Sequence, residues 1–336
     1  SSTPISQHPY IGSRQIIREA FLKKGVPAEA IDTMTCSISE GTLKQYNATY
    51  KLWWSFCLKH QIPVWDATTS HVLKFLTYVQ TNKKLKYGSI NSHKSALALI
   101  LNTDLSNNIL LKRYLKGVYR RNPPTRKYNS TWNPQPLLDY ISNMAEPLDL
   151  KSLSQKLVTL LALTTAGRLQ TISLIRISGI VESPQKIQIF ISDRIKTSSL
   201  NKKQPCLQLP FFNEKPTLCV ASALKKYIQL TNNIRKVEQD FLFLTAKAPH
   251  NLASKQTLSR WVKELLKKAG IDTSMFQAHS TRHSASSAAL RQGLSLETIC
   301  RTVGWSESSQ TFGKFYNRPL IDDTAFAKSI INLTPL

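Results

Sequence analysis

The chain has 336 residues, enough for two domains, and 41% of them are hydrophobic, so each domain can bury a core. Its 45 basic residues outnumber 20 acidic ones, and the formal net charge of +25 predicts a polyanionic partner, because neutralising phosphates releases counterions. The sequence lacks both a run of about twenty apolar residues and a signal-peptide pattern, so no association with a membrane is expected.

Residues 1–14 are rich in Ser, Pro and polar residues and predict a flexible N-terminus. Apolar residues then recur at three- and four-residue steps, which is typical of amphipathic helices. The predicted helices begin near Gln15, near Glu40, after an N-cap at Ser70, at Tyr87 and at Asn107, the last ending at Tyr119. Residues 15–119 therefore predict a compact all-helical domain.

Residues 120–135 predict a basic linker. Pro123 and Pro124 cannot continue a helix. Two readings of the surrounding basic residues stay open, a segment that helps the protein close around DNA and a plain solvated tether. The residues assigned to DNA contacts are Arg120, Arg121, Arg126 and Lys127 in this segment and Lys94 in the helical domain.

The second domain, residues 136–336, begins with helices over 137–144 and 152–165 and an apolar helical run to Ile175. Short alternating stretches over 176–180, 186–191 and 206–209 then predict a small antiparallel sheet. Further helices are predicted over 218–230, 258–269, 283–292, 296–303 and 323–331. The fold class is thus mainly α with one small antiparallel sheet.

The chemistry is concentrated near the C-terminus. His279 and Arg282 are three positions apart, which places both on one face of a helix, where they can point at one anion. Trp305 carries an indole N–H that can donate to a phosphate oxygen. Tyr316, 34 positions after Arg282, supplies a phenol that can attack a phosphodiester.

Two upstream residues complete a site for phosphoryl transfer. Arg168 follows an apolar helix and offers a second guanidinium fork for phosphate oxygens. Lys196 lies just beyond the second predicted strand, where a lysine at a hairpin tip can protonate a leaving 5′ oxygen. Taken singly, each residue has a structural alternative, such as aromatic packing for Tyr316 and Trp305. The order and spacing of all six favour a catalytic set.

Arg168, Lys196, His279-x-x-Arg282, Trp305 and Tyr316 together resemble the catalytic set of the tyrosine recombinases. This resemblance implies a helical core-binding domain paired with a mixed α/β catalytic domain around double-stranded DNA. It also implies a 3′-phosphotyrosyl intermediate, type IB topoisomerase-like strand transfer without a cofactor, and a homotetramer on two DNA sites.

Short sequence motifs resemble those of the DIRS-type retrotransposon recombinases most, and those of the crypton-type recombinases second. These motifs are Gly41-Thr42-Leu43-Lys44-Gln45-Tyr46, Trp53-Trp54-Ser55-Phe56-Cys57, His279-Ser280-Thr281-Arg282-His283-Ser284 and Gly304-Trp305-Ser306. The subtype implies integration of a circular retroelement DNA in the nucleus. Thr171 stands where the family often has an acidic residue, and Trp305 stands where bacterial members commonly have histidine.

The sequence fits other classes of site less well. Five scattered cysteines without a CxxC pair predict reduced, intracellular and mostly core-filling residues, with Cys300 in the core. The four-residue spacing of His279 and His283 lacks a third zinc ligand. No nucleotide-binding glycine loop is present. A metal-dependent nuclease with carboxylates Asp193, Asp322 and Asp323 is one rival. The other is a domesticated DNA-binding protein that has lost catalysis.

Overall fold

The computed structural model describes residues 9–123, 130–196, 198 and 204–305. The chain divides into two compact units, residues 1–126 and 127–336. The candidate nucleophile Tyr316 and the predicted helix over 323–331 lie outside the described residues, as do Arg126, Lys127, Asp322 and Asp323. None of the helices in the described ranges is long and apolar enough to cross a membrane.

The described part of the first unit is helical. Its helices are α1 (Ser13–Lys23), α2 (Ala28–Cys36), α3 (Glu40–His60), α4 (Thr69–Lys83), α5 (Tyr87–Ile100) and α6 (Ile109–Arg121). The sequence did not predict α2, and the cap of α4 is Thr68, whose hydroxyl accepts from the His71 amide, rather than Ser70. Helix α6 continues two residues past the predicted end at Tyr119.

Large aromatic residues fill the core of this unit. Trp53 is fully buried and packs edge-on against Phe75, with ring centroids 5.1 Å apart. Its indole N–H donates to the Val64 carbonyl at 2.9 Å, so the polar atom is satisfied inside the core. The apolar faces of the helices, which recur at three- and four-residue steps in the sequence, thus pack into one common core.

The second unit packs helices around a small sheet. Its helices in the described residues are α7 (Gln135–Ser142), α8 (Leu150–Thr164), α9 (Leu169–Ser173), α10 (Val220–Asn232), α11 (Lys255–Lys268), α12 (Thr281–Arg291) and α13 (Leu296–Val303). Helix α8 is almost entirely buried and packs against α10, α11 and α12, so it forms the centre of this unit.

The sheet is antiparallel, with strands β1 (Ile180–Glu182), β2 (Lys186–Phe190) and β3 (Cys206–Pro210) in that order. Ile187 pairs with Leu209, and both side chains are buried, so one face of the sheet joins the core. The first strand begins later than the predicted 176–180. Residues 177–179 form a 3₁₀ turn instead, and Gly179 lies so close to the Phe190 carbonyl that a Cβ would sit 2.6 Å from its oxygen.

Candidate functional site

Arg282 occupies the centre of the candidate site. Its side chain projects from the first turn of α12, and the residue is 4% exposed. The guanidinium donates to the Ala166 carbonyl at 2.6 Å and to the Val303 carbonyl at 2.9 Å. Both acceptors are neutral, so these bonds fix the group in place without cancelling its charge. A fixed, largely desolvated cation of this kind suits a phosphate oxygen.

Arg168 follows a tight connection between α8 and α9. Ala166 adopts a positive φ of 44°, and the Gly167 amide donates to the Thr165 hydroxyl at 3.1 Å. A Cβ on Gly167 would sit 2.7 Å from that hydroxyl oxygen, so any larger residue would force the Thr165 side chain to shift. Arg168 is half-buried and is the N-cap residue of α9. Its backbone lies two positions after the carbonyl that binds Arg282.

Trp305 is placed by the end of α13. Gly304 takes a φ of 73°, its amide donates to the Arg301 carbonyl at 3.2 Å, and the Trp305 amide donates to the Cys300 carbonyl at 2.8 Å. This pair of bonds is a Schellman motif, which ends the helix and fixes the direction of the following residue. The Arg282 guanidinium consequently lies over the Trp305 ring, 4.9 Å from its centroid.

His279 does not share an α-helical face with Arg282, contrary to the sequence prediction. It lies in a 3₁₀ turn, Ala278–Ser280, that precedes α12, and its side chain is exposed whereas Arg282 is buried. His279 is still next to the site, because its Nε2 lies 3.4 Å from Nε2 of His283 on the first turn of α12.

The side chains of His279 and His283 form a contact that the sequence analysis did not predict, because it considered this pair only as possible zinc ligands and assigned His279 to the catalytic set. Their rings meet edge to face with centroids 5.2 Å apart. Among the residues that the structure describes, no group of three or more His, Cys, Asp or Glu side chains could hold a metal ion.

Lys196 lies in the connection between β2 and β3 and is exposed. A small turn holds it: the Ile195 amide donates to the Ser198 hydroxyl at 2.9 Å, and the Ser198 amide donates back to the Ile195 carbonyl at 3.0 Å. Within the described ranges, Lys196 forms no hydrogen bond or ion pair with the other candidate residues. The structure thus brings together Arg282, Trp305 and the backbone beside Arg168, with His279 adjacent and Lys196 on a separate hairpin.

Asp193, a carboxylate of the rival nuclease hypothesis, is engaged in an ion pair. Arg176 donates to both of its oxygens, at 2.7 Å through Nε and 3.0 Å through Nη2. These hydrogen bonds hold the pKa of the Asp193 carboxyl below its usual range, outweighing its partial burial. The pair fixes the chain three residues before Lys196, which is a structural role rather than that of a metal ligand.

Trp132 is a site residue that the sequence placed in the linker. It is 5% exposed and belongs to the core of the second unit. Its indole N–H donates to the Ser280 hydroxyl at 2.9 Å, and its carbonyl accepts from the Ser284 hydroxyl at 2.9 Å. No motif marks it, because contacts more than a hundred residues apart have no local signature.

The candidate DNA contacts in the first unit lie on helices. Arg120 and Arg121 are exposed in the last turn of α6, and Lys94 is half-buried on α5. Lys112 and Lys116 precede Arg120 at four-residue steps on α6, and all three are exposed, so they form one basic stripe. Such a stripe is suited to tracking a phosphate backbone.

Known proteins match this chain in sequence family and in fold. The model of the phage integrase family matches residues 135–320. The structure of XerH site-specific recombinase bound to its difH substrate aligns with a TM-score of 0.59 and 14% identity, over 96% of this chain and 85% of that one. A lambda integrase dimer bound to a COC′ core site aligns with a TM-score of 0.53 and 16% identity, over 92% and 77% of the two chains.

A third solved structure, the Tn1549 transposon integrase in complex with circular intermediate DNA, aligns with a TM-score of 0.54 and 14% identity. The alignment covers 96% of this chain and 99% of that one. No curated protein matches the chain. The structural likenesses show a fold shared with these proteins, a mostly helical chain with a small antiparallel sheet in the second unit.

Proposed function

Because the chain belongs to the phage integrase family, the tyrosine recombinases, we propose that it integrates or recombines a mobile DNA element through a 3′-phosphotyrosyl intermediate. DNA cleavage and rejoining is the activity of that family. One observation carries the proposal to this chain. A buried arginine, Arg282, bonds the main chain two residues before Arg168 and two residues before Trp305, and its guanidinium lies over the Trp305 ring.

In the proposed first step, the Tyr316 phenol oxygen attacks the phosphorus of a DNA phosphodiester. The bond from phosphorus to the 5′ oxygen breaks as the tyrosine bond forms, and Lys196 gives a proton to the leaving 5′ oxygen. His279 takes the proton of the phenol. In the second step, a 5′-hydroxyl of a partner strand gives its proton to Lys196 and attacks the same phosphorus, and Tyr316 leaves with the proton returned by His279.

The fixed cations stabilise the charge that develops on the phosphate between these states. Arg282 is already held by two carbonyl groups, so it needs no reorganisation when negative charge appears on the non-bridging oxygens. Arg168 and Trp305 add further donors from the adjacent segments. Exchanging one phosphodiester for another conserves the bond energy, so the reaction requires no nucleotide hydrolysis.

The element is proposed to be of the DIRS type, because the sequence motifs at 41–46, 53–57 and 279–284 resemble those of DIRS-type recombinases. The Tn1549 integrase in the solved complex is bound to circular intermediate DNA, and a circular element DNA is the substrate proposed here. Four subunits on two DNA sites would carry out the exchange in the nucleus. The basic stripe on α6 and the excess of basic residues support tight binding of duplex DNA.

A covalent-trapping selection tests this function and identifies the recognised DNA sequence at the same time. The protein is incubated in EDTA with a pool of nicked duplexes of randomised sequence, and covalent adducts are recovered under denaturing conditions and sequenced. The expected result is an EDTA-resistant adduct on the 3′ phosphate at the cut that is absent with Arg168→Ala. Binding of duplexes in a gel shift with no adduct would overturn the proposal in favour of the inactive DNA-binding protein.

A further inference from the structure

Six consecutive residues, 279–284, carry His279, Arg282 and His283, and two serines of this segment bond to one distant residue. Ser280 accepts from the Trp132 indole N–H at 2.9 Å, and Ser284 donates to the Trp132 carbonyl at 2.9 Å. The two serines lie on either side of Arg282. Trp132 thus holds this segment at two points through side chain and main chain together.

The segment needs such support because of where it lies in the fold. Ser280 ends a single 3₁₀ turn, and α12 begins at the next residue, so His279 is outside the regular hydrogen bonding of the helix. Ser280 and Ser284 are 1% and 0% exposed, which keeps water from replacing either bond. Losing a buried bond of this kind leaves a polar atom without its partner and favours a local shift.

We propose that Trp132 is a positioning residue for DNA cleavage, which holds His279 and Arg282 at the distances that the reacting phosphate requires. The inference rests on the proposed function. Its physical basis is the single indole N–H: phenylalanine fills most of the same space but has no donor for Ser280. A misplacement of about 1 Å at a reacting group lowers a rate by about 100-fold, so loss of the bond between Trp132 and Ser280 is expected to affect the cleavage rate far more than folding.

The test compares Trp132→Phe with a matched control, Trp261→Phe. Trp261 lies on α11 in the same core and is 3% exposed, close to the 5% of Trp132. Both variants lose an indole, but only one loses the bond to the candidate site. Single-turnover cleavage is measured on the nicked duplex selected with the wild-type protein, together with the dissociation constant for the same duplex and the thermal unfolding midpoint.

Two serine variants keep the test decisive if both tryptophan variants fold poorly. Ser284→Ala removes the second contact, and Ser154→Ala is its control, since Ser154 is a fully buried helical serine that donates to the Leu150 carbonyl. The double variant Trp132→Phe with Ser280→Ala measures coupling, because Ser280 has no further bond to Trp132 to lose once the indole is gone.

The expected result is cleavage slowed about 10- to 100-fold in Trp132→Phe and Ser284→Ala, with DNA affinity and unfolding midpoint matching the controls. The double variant should be no slower than Trp132→Phe. Cleavage by Trp132→Phe and Ser284→Ala at the rate of their controls, or a slowing explained by lost binding or lost folded protein, would overturn the inference. Absence of any adduct with wild-type protein would instead count against the proposed function itself.

Discussion

Gly304 is expected to control activity through the direction in which the chain leaves α13. Its φ of 73° lies in the left-handed region, and no neighbouring atom lies within 4 Å of an added Cβ. In Gly304→Val the change is therefore one of backbone strain rather than of collision. A β-branched residue in this conformation costs about 2 kcal/mol. The strain is relieved when the last turn unwinds, which moves Trp305 and the Val303 carbonyl that binds Arg282.

Gly270 provides the matched control, because it ends α11 in the same way. Its φ is 80°, it also has open space around it, and the Gly270 and Ile271 amides donate to the Lys267 and Leu266 carbonyls. Gly270→Val should therefore destabilise the protein as much as Gly304→Val, by about 4–8 °C in the unfolding midpoint of a domain of this size.

The two variants should differ in the assay for DNA cleavage. Covalent-adduct formation on the selected nicked duplex is measured at a temperature where both are folded. We expect Gly304→Val to cleave at least about 10-fold more slowly than Gly270→Val, because only the former displaces groups at the reacting phosphate. Equal cleavage rates would refute the reasoning that the end of α13 positions the site.

Other parts of the account lead to further expected outcomes. Arg282→Lys should lower the free energy of unfolding by about 2–4 kcal/mol, since one ammonium cannot replace both hydrogen bonds to carbonyl oxygens; denaturant titration measures this effect. It should also slow cleavage at least about 100-fold, measured as the rate of adduct formation. Asp193→Asn should keep EDTA-resistant cleavage, which a metal-ligating carboxylate would not allow. It should also reduce stability at neutral pH, because the contribution of Asp193 is present above the pKa of its unfolded state. This difference from wild type should disappear as the pH falls through the lowered folded-state pKa, as followed by unfolding at neutral and acid pH. Arg120→Ala and Arg121→Ala should each reduce the salt slope of DNA binding by about one, whereas Lys225→Ala, whose lysine is paired with Glu182, should leave it unchanged.

The parts of the fold that the sequence predicted well are those governed by local periodicity. Helices such as α3 and α8 and strand β2 follow apolar spacing and capping residues that are visible in a short window. Strand β1 was placed too early because its true start depends on the close approach of Gly179 to Phe190. Helix α2 was missed because a single buried residue, Ile31, defines its apolar face.

In the candidate site, too, local sequence patterns predicted some residues, whereas contacts between distant segments could not be predicted. Residue types and their order suggested Arg282 and Trp305, but the bonds of Arg282 to the Ala166 and Val303 carbonyls join segments far apart in sequence. Neither carbonyl has a sequence signal, since every residue carries one. The 3₁₀ turn at His279 was also unpredictable from spacing, because a three-residue step fits both kinds of helix. Trp132 was assigned to the linker because its bonds to Ser280 and Ser284 join residues far apart in sequence, which no local pattern indicates.

The central claim is that Tyr316 becomes covalently joined to DNA, and mapping the adduct tests it most directly. Wild-type protein trapped on the selected nicked duplex in EDTA is digested, and the nucleotide-bearing peptide is identified by mass spectrometry beside a parallel trap with Tyr316→Phe. The account predicts a 3′-phosphate ester on Tyr316 and no adduct from the variant. An adduct on another residue, or one that persists in Tyr316→Phe, would contradict it.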